Sequence, residues 1–123
     1  MTIIEAINQI DDLKANTYSQ ENKIEWLSRV DGMIKRIIID THEGGEDIKF
    51  DGYNKDTALE TELLAPHPYD ELYIRWLEAQ IDYTNAEYDK YNNTITAFNT
   101  SFNNYQNYYN SQHMPKGKSF KCF

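Results

Sequence analysis

Three histidines, one cysteine and a handful of close-set acids are the side chains of this 123-residue sequence best able to do chemistry. His42-Glu43 with Glu46 and Asp47 could be drawn as a metal cluster, since imidazole and carboxylate are ordinary ligands of divalent cations. A hard cation needs its ligands at a fixed rhythm within a loop, and none is visible here, so a solvated acidic loop is the simpler reading. Glu78 and Asp82 stand one turn apart on a predicted helix, and Glu25 neighbours Trp26, which makes paired-carboxylate proton transfer formally available. Surface acids at helical spacing greatly outnumber such dyads. His42, His67 and His113 lie apart, and the sequence has no glycine-rich phosphate loop, CxxC pair or HExxH motif. Cys122 excludes an internal disulfide and reads as an incidental exposed thiol. Asn92-Asn93-Thr94 and Asn99-Thr100-Ser101 match the glycosylation triplet, which has meaning only behind a secretory signal. The expectation is a protein that is not an enzyme and uses no cofactor or metal.

The elements that would carry these residues are mostly helical. Thr2 with Glu5 forms a capping-box pattern, and Ile3, Ala6, Ile7, Ile10 and Leu13 make one apolar face down to about Lys14. Ser19 caps a second helix running to about Thr41, with Ile24, Leu27, Val30, Ile34, Ile37 and Ile38 turned inward and Trp26 and Met33 on a flank. Gly32 within it marks either a close helix crossing or a tolerated surface glycine, and Gly44-Gly45 ends the helix. Residues 43–67 lose the helical period. Asp47-Ile48-Lys49-Phe50-Asp51 alternates as a short half-buried strand does, Asp51-Gly52 signals a turn, and Thr61 to Leu64 is a second extended candidate. This part is expected to be a small β-hairpin or an extended arm.

From Pro68 to Gln112 one row recurs at alternating spacings of four and three: Ile74, Leu77, Ile81, Thr84, Tyr88, Tyr91, Ile95, Phe98, Phe102, Tyr105 and Tyr109. Such a row predicts a single long helix with one packing seam, roughly 60 Å from end to end. That length exceeds what a small domain needs for its own core, so the seam is expected to pack between subunits. The outer positions change character partway. They are charged up to Lys90, whereas seven asparagines lie between Tyr91 and Gln112, and asparagine is a weak helix former. The distal half should therefore need packing on both sides, and Asn92-Asn93-Thr94 is the place where a kink or restart is available.

Charge divides the chain as well. All 20 acids and 9 of the 12 Lys and Arg lie in residues 1–90, while residues 91–123 carry three lysines and no acid. The formal net charge of -8 argues against direct binding of nucleic acid. No apolar run is long enough to span a membrane, and acids within the first turns of Met1 to Ala15 are unlike a signal peptide, so an intracellular protein is expected. The whole is expected to be one helical domain over 1–115, with the arm at 43–67 and a tail at 116–123. Lys116, Lys118, Phe120, Lys121 and Phe123 would make that tail either disordered or a docking peptide anchored by its aromatics, with docking preferred.

Three stretches, NTYSQENKIEWLSRVDGMIKRIIIDTHEGGED (16–47), TELLAPHPYDELYIRWLEAQIDYTNAEYDKYNN (61–93) and YYNSQHMP (108–115), resemble a family of small structural proteins from the morphogenesis clusters of tailed phages and prophages of Gram-positive bacteria. That family is the head–tail connector, or adaptor, group beneath the portal. The resemblance spans Ile3 to about Lys116 and rests on the order of pieces such as Ile39-Asp40-Thr41-His42-Glu43-Gly44 and Leu63-Leu64-Ala65-Pro66, none of them catalytic. It implies a mainly α protein forming a closed ring of about twelve copies, joined to the portal on one side and to a stopper or tail-completion protein on the other. DNA would pass through the channel without sequence-specific binding, and the protein would sit in the virion neck after assembly in the host cytoplasm. Ile74, Leu77, Ile81, Tyr88, Tyr91, Ile95, Phe98, Phe102, Tyr105 and Tyr109 would then pack subunits, and Phe120 and Phe123 would meet the portal. The rival expectation is a small helical regulator, dimeric through the same seam and bound to one protein partner.

Overall fold

The computed structural model describes residues 1–116 and is mainly helical, as the sequence patterning requires. Helix α1 covers Ile3–Leu13 and opens on the expected capping box: Glu5 N donates to Thr2 Oγ1 at 3.2 Å, and Thr2 N donates to Glu5 Oε1 at 2.9 Å. Ile3, Ala6, Ile7 and Ile10 are buried, but Leu13, counted with them by periodicity, is 67% exposed at the helix end. Helix α2, Gln20–Met33, starts at Ser19, whose Oγ accepts from Asn22 N at 3.2 Å. It runs on into a π-helical segment, Ile34–Ile39, where the Asp40 amide reaches back five residues to the Lys35 carbonyl at 2.8 Å.

That widened turn corrects the inner face. In an α-helix Ile37 and Ile38 would share the buried flank; the extra residue in the turn rotates Ile37 outward to 45% exposure and brings Ile39 into the core. Thr41 Oγ1 donates to the Ile37 and Ile38 carbonyls, so the end of the segment is not left with bare acceptors. Gly32 has no helix across it, since a Cβ there would meet only the Phe50 ring at 3.9 Å. Gly45 is different: a Cβ would sit 2.2 Å from the Ile39 carbonyl oxygen, so only glycine lets the chain turn back beneath the π segment.

Residues 43–67 form neither a hairpin nor a free arm. Among the described residues there is no strand, only the isolated bridges Thr2↔Glu62 and His42↔Pro115 and a short 3-10 turn over Gly45–Asp47. The backbone donors of this stretch find side chains and helix ends instead of a second strand. Tyr53 N donates to Ser28 Oγ at 2.9 Å, Leu64 N to Asp31 Oδ2 at 3.1 Å, and Leu63 N to the Met1 carbonyl at 2.9 Å. The segment thereby wraps its own helices, burying Leu63 and Ala65.

The expected long helix is two helices, α3 (Glu71–Thr84) and α4 (Tyr88–Gln112), packed on each other as a hairpin. The break lies at Asn85–Glu87, ahead of the asparagine run. Ala86 N donates to the Tyr83 carbonyl at 3.0 Å and Glu87 N to the Asp82 carbonyl at 2.9 Å, with Ala86 in the left-handed region at φ 59°. Those two bonds define a Schellman stop, which normally carries glycine at the left-handed position. The stripe passed through unshifted because residues of the row are buried on both helices, Ile74, Leu77 and Ile81 on α3 and Phe98, Tyr105 and Tyr109 on α4. Trp76 meets Phe98 at 4.9 Å between ring centres, and Phe98 meets Phe102 at 5.6 Å.

Candidate functional site

The hairpin decides which of the expected contact residues are open to a partner. Ile74, Leu77, Ile81, Phe98, Tyr105 and Tyr109 are buried in the chain's own core, and Ile95 and Phe102 pack half-buried against it. The seam expected between subunits is thus closed within one chain, because α4 folds back onto α3 and supplies the partner that the extra length called for. Tyr88, at 56% exposure, and the half-buried Tyr91 are the exceptions. They gather round Tyr83, also 56% exposed, with edge-to-face ring separations of 5.8 and 5.2 Å. Tyr83 lies off the heptad row; its signal was an aromatic side chain on an outer helix face.

The opposite end of the hairpin is aromatic too. Tyr69 stacks on Tyr108 at 4.6 Å, His113 stacks on Tyr109 at 3.8 Å, and the buried His42 ring approaches Tyr109 edge-on at 4.9 Å. Burial pushes the Tyr105 and Tyr109 phenols above their ordinary range, so both stay neutral at any physiological pH. A groove of about 230 Å³ opens here, lined by Ile48, Leu64, Pro66, Tyr105, Tyr108 and His113 among others. Beside it residues 113–116 strap onto the loop after the π segment: Glu43 N donates to the Met114 carbonyl and Lys116 N to the Thr41 carbonyl, both at 2.7 Å. Lys116 Nζ lies 3.2 Å from Glu46 Oε2. Glu46's own backbone amide and then the Lys116 ammonium hold its carboxyl below the usual range. Lys116, expected to dock on a partner, is therefore engaged within the chain. Lys118, Phe120, Lys121 and Phe123 lie outside the described residues.

The residues that looked capable of chemistry are occupied separately. His42 Nδ1 faces the Ile38 carbonyl at 2.6 Å, and Glu46 turns to Lys116, so the 42–47 loop holds no shared centre. Glu25 pairs with Arg29 at 2.6 Å and Glu78 with Arg75 at 3.4 Å. Asp82 is wholly buried, with Lys14 Nζ at 2.7 Å from one carboxylate oxygen and Thr94 Oγ1 donating to the other at 3.1 Å. That pair ties α1 to both arms of the hairpin.

One acid escaped sequence reasoning altogether. Asp31 is fully buried and accepts from Tyr53 Oη at 2.5 Å, from Tyr73 Oη and from Leu64 N. Its signal was present in the row Ile24, Leu27, Asp31, Ile34, Ile38, where it is the one charged residue in an apolar stripe. Desolvation raises the Asp31 carboxyl above its ordinary value despite these donors, and burial beside Asp31 raises the Tyr53 and Tyr73 phenols. Three elements meet at this carboxyl, which makes it a structural hub.

No family model, curated protein or solved structure matches the chain. Among the described residues no helix is long and apolar enough to cross a membrane.

Proposed function

We propose that the protein is a structural component of a tailed-phage virion, a head–tail connector that joins the portal to a stopper or tail-completion protein and has no catalytic step of its own. The observation that carries this reading is the placement of two aromatic surfaces at opposite ends of the α3–α4 hairpin. Tyr83, Tyr88 and Tyr91 stand at the turn; Tyr108, Pro66 and Ile48 stand at the other end, beside residues 113–116. Twenty helical residues separate Tyr88 from Tyr108, about 30 Å of rise. An adaptor needs two such faces held apart by a stiff element, whereas a protein with one partner needs one.

The acid-rich body supports the same reading, because negative walls let DNA slide through a ring of about twelve copies without adhering. Residues 117–123, basic and carrying Phe120 and Phe123, are proposed to meet the portal. The place of action would be the neck of the virion, after assembly in the host cytoplasm. Native mass of the chain, alone and mixed with the portal protein of the same phage or prophage, tests this. A ring that forms on the portal is the expected result. A small oligomer that ignores the portal would overturn the connector and favour a dimeric regulator built on some surface other than the closed seam.

A further inference from the structure

Two histidines far apart in the sequence come together where residues 113–116 strap onto the loop after the π segment. His42 and His113 each follow a helical end, and each sets Nδ1 against the carbonyl four residues back: Ile38 at 2.6 Å and Tyr109 at 3.2 Å. A carbonyl only accepts, so Nδ1 is the donor in both rings, and in a neutral imidazole Nε2 is then a bare lone pair. His42 is only 3% exposed, and its Nε2 has no hydrogen-bond partner among the described residues. Thr41 Oγ1 lies 3.1 Å from the same Nδ1, and Tyr109 closes edge-on against the ring at 4.9 Å, so His42 is held in place. The His113 ring stacks on Tyr109, is itself exposed, and stands 6.3 Å from the His42 ring between centres.

An acceptor buried without a donor costs free energy, which a ligand for its lone pair recovers. Anchoring Nδ1–H on a backbone carbonyl with Nε2 left open is how metal-binding histidines are oriented, because the outer bond fixes the tautomer. Here that arrangement occurs twice within reach of one ion. Zinc–nitrogen bonds of about 2.0–2.1 Å place two imidazole centres on one ion roughly 5–6.4 Å apart, depending on the angle at the metal. The 6.3 Å separation lies at the wide end of that range, and the exposed His113 is the ring that turns to close it. We propose that His42 and His113 bind a zinc ion through their Nε2 atoms. Among the described residues no set of three His, Cys, Asp or Glu side chains could hold a metal, so water fills the remaining positions. A groove of about 480 Å³, lined by His42 with Thr41, Asn110, Pro115 and Lys116, gives the ion its way in. The Lys116 ammonium there is offset by Glu46 Oε2 at 3.2 Å. Imidazole favours such a transition ion over magnesium or calcium, which prefer oxygen. The ion would tie the strap to the end of the π segment, and this site stands independently of the connector reading.

Zinc titration of the full, untagged chain tests the site, after chelator treatment and with Cys122→Ser so that no thiol competes. Calorimetry should find one zinc per chain, and the thermal midpoint should rise as zinc is added, since the ion binds the folded state. Proton–nitrogen correlation spectra of the imidazoles should show the Nε2 signals of His42 and His113 shifting together while His67 stays in place; magnesium should move none of them. This readout needs no substitution at the buried His42. His113→Ala, at an exposed position, should keep the metal-free fold and weaken zinc binding by more than about tenfold, since even an outer-shell partner of a ligand is worth 10–100-fold. His67→Ala should change nothing. Zinc that binds without moving the His42 Nε2 signal, or that binds His113→Ala equally well, would be an adventitious ion only and would overturn the site. Absence of zinc uptake by the intact chain would overturn it too.

Discussion

Asp31 shows what one buried charge can do in a fold of this size. Its carboxyl gathers the hydroxyls of Tyr53 and Tyr73 and the amide of Leu64, linking α2, α3 and the segment between them. Asp31→Ala strands those three donors and opens a small cavity; a loss of about 3 kcal/mol is expected from urea unfolding. The pH dependence has a definite sign. Because burial raises the folded-state pKa of this carboxyl, its contribution is fully present below the unfolded pKa and is lost as pH rises through the raised value. The stability of the natural chain relative to Asp31→Asn should therefore increase as pH falls from 7 toward 4, measured as the difference in urea midpoints. A difference that shrinks on acidification would mean that the three donors outweigh desolvation.

At the scale of elements, the π segment and the hairpin turn are the two departures from regular periodicity, and each makes a prediction. If the wide turn sets the register, Ile34→Ala should cost about 2–5 kcal/mol and Ile37→Ala less than about 0.5 kcal/mol, although both residues belong to the same isoleucine-rich run. Gly45→Ala should cost about 1–3 kcal/mol, because the added carbon meets the backbone oxygen of Ile39 and not a movable side chain. The turn offers a gain. Ala86→Gly relieves a left-handed alanine and should raise stability by about 0.5–1 kcal/mol in thermal or urea unfolding. An unchanged midpoint would place the stop elsewhere than at residue 86.

At the scale of the whole molecule, the C-terminal boundary is defined by bonding. Residues 113–116 hold the 41–46 loop through two backbone hydrogen bonds and the Lys116–Glu46 contact. Ending the chain after Lys116 should leave the melting temperature unchanged and weaken portal docking, since only the proposed anchor is removed. Ending it after Gln112 should also lower stability, by about 1–2 kcal/mol for the two lost backbone bonds. Equal portal binding by the 1–116 chain and the full chain would remove the docking role of Phe120 and Phe123.

Wherever a local signal was strong, the sequence determined the outcome unaided. Thr2 with Glu5 and Ser19 specify where α1 and α2 begin, since a cap is made by residues within one turn of each other. Ile74, Leu77, Ile81 and Phe98 of the heptad row are buried within the chain, because periodicity reports which face is apolar. Periodicity does not report what covers that face. A stripe in phase across Ala86 reads alike for one long helix between subunits and for two short helices closed on each other, and the stop carries alanine where glycine would have announced it. The π turn was hidden for a similar reason, since Ile34 to Ile39 offers an apolar side chain to either register. Packing of the assembled chain selects between the registers, burying Ile39 and leaving Ile37 outside. The path of residues 43–67 belonged to tertiary structure as well, because its bonds to Ser28, Asp31 and Met1 join residues too distant in sequence for any local pattern to register.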